Sequence, residues 1–139
     1  MASSIFLDTN GWLTLLNSTE ALHVQANRTW LDVVRGKHQL ILTDWIVAEA
    51  GNGLARVKPK NRLHEALDRI LAVSYNQMVF IDDQLLNRAI EFFERHADKS
   101  WGLVDCASFL VMQERGITHA FTSDRHFEQA GFTCLLPLQ

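Results

Sequence analysis

Four acidic residues stand where a carboxylate is unusual, and they are the strongest candidates for chemistry in this sequence. Asp8 follows the apolar run IFL, and Asp124 follows the run AFTS. Glu49 lies inside the apolar segment WIVAEA, and Asp105 lies near the start of the apolar segment LVDCASFLVM. Each acid alone has an ordinary explanation, because a carboxylate can cap a helix, stabilise its positive end or pair with a nearby base. Their significance therefore depends on whether the fold brings them together.

A cluster of four carboxylates would imply a particular chemistry. Like charges packed into a small volume repel and raise one another's pKa. A fold tolerates such a cluster when a divalent cation supplies the opposite charge, and oxygen-only ligands suit Mg²⁺ or Mn²⁺. Such a cation can lower the pKa of a bound water and clamp the oxygens of a phosphodiester. The residue types thus indicate metal-assisted hydrolysis of a phosphate ester.

The elements that must position these acids can be predicted from hydrophobic patterning. Predicted strands cover residues 4–8, 39–43, 78–82, 119–123 and 132–136. The first four are almost continuously apolar, which is typical of strands buried on both faces of a parallel sheet. Helical periodicity and capping residues predict helices over residues 10–17, 19–35, 44–57, 61–74, 83–97, 103–115 and 125–130. The alternation predicts an α/β domain with helices on both faces of a parallel sheet.

This arrangement would let the acids meet at one edge of the sheet. Ligands of such sheets bind beyond the carboxyl ends of the strands, where strand order reverses. Asp8 and Asp124 lie at the carboxyl ends of the first and fourth predicted strands, so they would face each other if those strands were neighbours. Glu49 follows the second strand, and Asp105 begins the helix that leads into the fourth. We expect both at the same edge.

Composition limits the other possibilities. The 139 residues are 47% hydrophobic, which predicts one globular domain spanning residues 1–139. No apolar run approaches the ~20 residues of a membrane helix, and the N-terminus does not resemble a secretory signal, so we expect no membrane association and a cytoplasmic location. Cys106 and Cys134 are expected to be reduced packing residues. The sequence contains no HExxH, GxGxxG, GKS/T or GxSxG motif.

One basic segment stands out in a chain whose net charge is −3. Residues 56–62, RVKPKNR, carry four basic side chains: Arg56, Lys58, Lys60 and Arg62. A solvated loop between helices would explain them, and so would an edge that contacts nucleic-acid phosphates. Because the chain is not basic overall, any nucleic-acid contact must be local.

The order of these motifs resembles the PIN-domain ribonucleases, a family that includes the VapC-type toxins of toxin–antitoxin pairs. The resemblance rests on LDTN, Glu49, LVDCASF and TSDRHF, and it covers residues 4–136 in order. It implies a three-layer α/β/α domain with a central five-stranded parallel sheet. It also implies Mg²⁺- or Mn²⁺-dependent cleavage of RNA, frequent homodimerisation and, for toxin members, inhibition by a small antitoxin protein.

The resemblance also implies roles for individual residues. Asp8, Glu49, Asp105 and Asp124 match the family's acidic quartet, which would be catalytic and hold the metal. Thr9, Asn10, Thr122 and Ser123 match polar positions that help to orient water or the acids. Asp98 is a candidate satellite acid, and no chemistry is assigned to Arg125 or His126.

Two other functional classes remain open from the sequence. A PIN-like module could serve as a binding or scaffold subunit without catalysis, although a scaffold does not need four mutually repelling acids. In a phosphatase or receiver-like doubly wound domain one acid is phosphorylated, but this chain lacks the DxDx[TV] string and the partner lysine at a strand end.

Overall fold

A five-stranded parallel sheet forms the centre of the computed structural model, which describes residues 3–57 and 62–139. The strands are β1 (Ser4–Leu7), β2 (Gln39–Thr43), β3 (Gln77–Val79), β4 (His119–Phe121) and β5 (Thr133–Cys134). Their order across the sheet is β3-β2-β1-β4-β5, and every pairing is parallel. The chain builds outward from β1 to β3 and then returns to the other side of β1, so strand order reverses between β1 and β4.

Helices surround this sheet, which confirms the predicted three-layer α/β/α class. They are α1 (Thr9–Leu16), α2 (His23–Arg35), α3 (Asp44–Gly53), α4 (Arg62–Leu71), α5 (Asp83–Arg95), α6 (Leu103–Arg115) and α7 (Arg125–Gln129). Within the described ranges none of them is long and apolar enough to cross a bilayer. The two cysteines form no disulfide; Cys106 is buried and Cys134 is half-buried.

Several predicted elements were too long, and side-chain hydrogen bonds to the backbone explain where they end. The second helix begins at His23 rather than residue 19, because the Asn17 carboxamide accepts hydrogen bonds from the Thr19 N–H and hydroxyl and holds a turn. β3 ends at Val79 rather than residue 82, since the Ile81 N–H donates to Asp44 Oδ1 instead of to a strand.

The core is aromatic on the side of the sheet that carries α6 and α7. Residues 106–112 of α6 are all buried, and the Phe109 and Phe127 rings pack edge to face with centroids 5.0 Å apart. Phe6 of β1 lies against Phe127 at 6.3 Å. Burial of each such side chain stabilises the fold by about 1.5–3 kcal/mol. This packing fixes the starts of α6 and α7 relative to β1.

A glycine allows α1 to approach the end of β4 closely. A Cβ built on Gly11 would lie 2.1 Å from the carbonyl oxygen of Phe121, a distance that no side chain tolerates. The first turn of α1 therefore rests directly on the carboxyl end of β4. The residues before and after Gly11 are thereby brought beside the residues that follow Phe121.

Candidate active site

Asp8 occupies the N-cap position of α1, but its side chain does not cap that helix. Asp8 as a whole is only 4% exposed, and its Oδ2 accepts a 2.8 Å hydrogen bond from the Thr122 hydroxyl. Thr122 Oγ1 also accepts from the Asp124 N–H at 3.1 Å. Asp8 at the end of β1 and Asp124 after β4 are thus linked through one buried threonine. The pairing of β1 with β4 brings the two strand ends together, as the sequence predicted.

Asp105 and Asp124 meet around a histidine. Asp105 Oδ2 accepts from the Gly102 N–H at 3.1 Å and lies 3.0 Å from His126 Nδ1. Asp124 Oδ1 accepts from the His126 N–H at 2.9 Å and lies 3.6 Å from the same Nδ1. Ligand atoms of these three side chains all lie within 4.8 Å of one another, close enough to share one metal ion. Both acids also accept a backbone N–H at a helix start, so their ordinary capping role is real as well.

Glu49 approaches the same edge from α3 and is half-buried. Its Oε1 accepts a 2.6 Å hydrogen bond from the Thr9 hydroxyl, across 40 residues of sequence. Among the described residues, Glu49 is bonded to the Thr9 hydroxyl and pairs with no basic side chain. Within this part of the chain, an ion pair therefore does not explain why Glu49 lies in an apolar turn.

The electrostatics of the cluster are dominated by burial. Burial raises the pKa of Asp8 to about 7; the Thr122 hydrogen bond opposes this rise, and the charges of Asp105, Asp124 and Glu49 add to it. Burial also raises the pKa of Asp105, while hydrogen bonds from Gly102 and His126 lower it. From the sequence we expected mutual repulsion to be the main cause. Repulsion contributes, but loss of hydration is the larger effect.

Two of the four predicted polar residues contact an acid, and the other two bind each other. Asn10 Oδ1 accepts from both the N–H and the hydroxyl of Ser123, each at 2.8 Å. Thr9 and Thr122 contact Glu49 and Asp8 as described above. These bonds also explain why β4 stops at Phe121 rather than residue 123, since the next two residues bind side chains of the β1–α1 junction.

Other sequence predictions fall outside this cluster. The Asp98 side chain is 72% exposed and lies 3.8 Å from Lys99, so the candidate satellite acid is not one of the clustered side chains. Of the basic segment, Lys58 and Lys60 lie outside the described residues, while Arg56 and Arg62 are exposed on either side of them.

Sequence reasoning assigned nothing to His126, which the structure brings between two of the acids. Its only sequence signal is its position two residues after Asp124, at the start of a short helix. That signal is weak, because the direction of the ring depends on α6, a segment about 20 residues earlier in the chain.

Comparisons with known proteins agree with this geometry. The profile of the PIN domain family matches residues 5–133. The chain is 29% identical over 139 residues to the 23S rRNA-specific endonuclease VapC20 of Mycobacterium tuberculosis, covering 96% of this chain and 98% of that protein. The crystal structure of M. tuberculosis VapC20, described as a sarcin-ricin loop cleaving toxin, superposes with a TM-score of 0.83 at 27% identity, covering 96% and 100% of the two chains. FitAcB from Neisseria gonorrhoeae shares the fold, with a TM-score of 0.62 at 23% identity and coverage of 96% and 97%.

Proposed function

This chain belongs to the PIN domain family, and on that basis we propose that it is a divalent-metal-dependent endoribonuclease that hydrolyses RNA phosphodiester bonds. One observation carries the proposal: buried and half-buried carboxylates converge where strand order reverses, the usual ligand position in a parallel sheet. The raised pKa of Asp8 supports it further, because an acid that holds its proton near neutrality is poorly compensated without a cation.

The donor set of the cluster fits a hard divalent cation. We propose that Asp8, Glu49, Asp105 and Asp124 hold Mg²⁺ or Mn²⁺, which would supply a water of lowered pKa and offset charge on the phosphate. Thr122 would keep Asp8 Oδ2 oriented, and Thr9 would do the same for Glu49 Oε1. Asn10 and Ser123 would fix the distance between the β1–α1 junction and the end of β4.

The substrate proposal follows from the relatives. Because VapC20 is named for cleavage of 23S rRNA, we propose structured ribosomal RNA as the substrate class to test first. We further propose that Arg56, Lys58, Lys60 and Arg62 contact its phosphates, which is supported by the exposure of the two arginines.

The test is incubation of the purified protein with total RNA, in Mg²⁺ or Mn²⁺ and in excess EDTA, followed by sequencing of the new ends. We expect 5′-phosphate and 3′-hydroxyl ends that form only with the cation. Cyclic phosphate ends, or full activity in EDTA, would show that the proposed mechanism is wrong.

Two variants make the test specific to the cluster. Asp124→Asn keeps an acceptor for the His126 N–H, so the cap of α7 should survive while cleavage falls by at least about 100-fold, since even outer partners of metal ligands are worth about 10–100-fold. Asp98→Asn removes an exposed acid outside the cluster and should stay active. If Asp124→Asn melts several degrees below wild type in EDTA, its main role is structural, and if it cleaves normally the site assignment fails.

We also propose that the protein is a toxin held inactive by a small partner protein, and that it is a homodimer. A relative described as a toxin supports the first part. An apolar groove of about 320 Å³ between α1, α2 and α4, with Trp12 and Trp30 in its wall, offers a surface for such a partner.

Two experiments test these proposals. Co-expression with the neighbouring open reading frame should relieve growth inhibition, and the product of that frame should co-purify with the protein. Light scattering should give twice the mass of the chain. If growth inhibition came from binding by a scaffold rather than from catalysis, the Asp124→Asn variant would inhibit growth as strongly as wild type.

A further inference from the structure

His126 presents one ring nitrogen to two carboxylates at once. Its Nδ1 lies 3.0 Å from Asp105 Oδ2 and 3.6 Å from Asp124 Oδ1. A proton on Nδ1 can point to only one of these oxygens, so a hydrogen bond from the ring accounts for only one of the two contacts, while the N-cap bond of Asp124 holds the other oxygen nearby. With metal–ligand bonds of about 2.1 Å, neighbouring ligand atoms of an octahedral ion are about 3 Å apart. The two distances from Nδ1 are therefore close to the spacing of adjacent ligands of one ion, and ligand atoms of all three side chains lie within 4.8 Å of one another.

The local fold explains why the ring points this way. His126 is the second residue of α7, whose start is capped by Asp124, and the next residue, Phe127, is fully buried against Phe109. These contacts turn the first turn of α7 toward the start of α6, where Asp105 lies. The His126 side chain is 29% exposed, and those of Asp105 and Asp124 are 18% and 31% exposed, so a hydrated ion can reach all three.

The second ring nitrogen also has a partner. His126 Nε2 lies 3.3 Å from the Ser100 hydroxyl oxygen. A histidine that binds a metal through one nitrogen usually donates its other N–H to a nearby acceptor. With Nε2–H donating to Ser100, Nδ1 keeps its lone pair for a cation.

We propose that His126 Nδ1 is a metal ligand beside Asp105 and Asp124, and that it makes this site prefer a first-row transition-metal cation over Mg²⁺. The inference rests on the proposed function, because it concerns the cation of the same site. Its chemical basis is that Mg²⁺ takes oxygen ligands almost exclusively, whereas transition-metal ions also accept imidazole.

The experiment measures cation binding by the full chain and does not depend on RNA cleavage. Mn²⁺ affinity is obtained from the EPR signal of the free ion, Mg²⁺ affinity from competition with Mn²⁺, and nitrogen ligation from the ¹⁴N modulation of bound Mn²⁺ in pulsed EPR. The key variant is His126→Asn, whose amide can occupy the place of Nδ1 and donate to Asp105, as a protonated Nδ1 would, but supplies no imidazole nitrogen. His119→Asn, an exposed histidine at the opposite edge of the sheet, is the matched control.

We expect ¹⁴N modulation in wild type and in His119→Asn, and its loss in His126→Asn. Mn²⁺ affinity should fall roughly tenfold in His126→Asn, the lower end of what loss of a metal-site partner costs, while Mg²⁺ affinity changes less than about twofold. The ratio of the two affinities thus reports the nitrogen ligand.

The alternative is that His126 only orients Asp105 through a hydrogen bond. Then wild type would show no ¹⁴N modulation, His126→Ala would weaken Mn²⁺ and Mg²⁺ equally, and His126→Asn would restore both. That pattern would overturn this inference and leave the proposed metal-dependent nuclease intact. Failure of wild type to bind either cation would overturn both proposals together.

Discussion

At the scale of single residues, the site acids differ in how they combine structural and chemical roles. Asp105 and Asp124 each accept a backbone N–H at a helix start while facing His126, so their capping and their candidate ligand roles coexist. Asp8 stands at a helix start and does not cap it, because its carboxylate is turned into the interior toward Thr122. A buried acid without a counter-charge should cost stability, and that cost should depend on pH.

We predict that Asp8→Asn stabilises the metal-free protein increasingly as pH rises from 5 to 8. Burial raises the folded-state pKa of Asp8 from 3.8 to about 7, so the folded form binds this proton more tightly than the unfolded form. The contribution of Asp8 to stability is fully present below the unfolded pKa and is lost as pH rises through the folded pKa, at about 1.4 kcal/mol per pKa unit. Asparagine remains neutral and can still accept the Thr122 hydrogen bond.

The measurement is the difference in unfolding free energy between Asp8→Asn and wild type, in EDTA at pH 5 and pH 8. Taking the difference removes the titration of groups that the two proteins share. A difference that stays constant between the two pH values would mean that Asp8 is already ionised in the folded protein at pH 5.

At the scale of elements, three of the acids lie where helices α1, α6 and α7 begin, near the carboxyl ends of the strands. The α1 helix has only eight residues, and its position depends on backbone contact between Gly11 and Phe121 together with the hydrogen bonds of Asn10 to Ser123. The first turn of α1 carries Thr9 and follows Asp8, so a small shift of this helix would move both side chains. The geometry of the site should therefore be sensitive to one glycine.

Gly11→Ala should destabilise the protein by about 1–3 kcal/mol, the usual cost of forcing an extra methyl into a packed region. Its Cβ would lie 2.1 Å from a backbone oxygen, which cannot move out of the way as a flexible side chain could. Gly51→Ala is the control within α3, because among the described residues its Cβ would meet just Leu63 Cδ2, at an ordinary contact distance of 3.5 Å. The control should be neutral or stabilising by up to about 1 kcal/mol, since alanine favours a helix. Urea unfolding of both variants gives the values; equal effects would mean that the contact is not tight in solution.

At the scale of the whole molecule, topology separates the acidic cluster from basic side chains at the opposite edge of the sheet. Strand order reverses between β1 and β4, so the acids lie at one edge, while Arg35, Lys37 and His119 lie at the opposite edge. The net charge of −3 means that RNA must be attracted by a local basic surface rather than by the whole protein. The basic segment, residues 56–62, follows the helix that carries Glu49 in sequence, which makes it the candidate for this role.

We predict that Lys58→Ala with Lys60→Ala weakens RNA binding about equally across sequences. The slope of log K against log salt should flatten by roughly one unit per lost phosphate contact. Binding is measured in the Asp124→Asn background, so that RNA is not consumed. Arg35→Ala with Lys37→Ala removes the same charge from the opposite edge and should leave the slope unchanged. Equal slopes for the two double variants would indicate that residues 56–62 do not contact RNA.

Much of this protein was determined by its sequence. Continuous apolar runs encoded the buried strands β1, β2 and β4, whereas β3, which was also expected to be buried, is an exposed to half-buried edge strand. Helical periodicity encoded the layers around the sheet, and the positions of Asp8 and Asp124 after strands indicated the edge where the acids meet. These features are local, because hydrophobic period and capping chemistry act over a few residues. The assignment of residues 1–139 to one domain stays a prediction.

Only the tertiary structure decided which side chains touch. The pairing of β1 with β4, the Thr9–Glu49 hydrogen bond and the position of His126 between Asp105 and Asp124 join segments 20 to more than 100 residues apart. Element ends were also decided there, as when the bonds of Asn10 and Ser123 stopped β4 early. The reason is physical: the direction of a side chain and the burial of a charge depend on what packs against them, and burial rather than repulsion proved the larger influence on Asp8. Neither the direction of a side chain nor the burial of a charge can be read from neighbouring residues in the sequence.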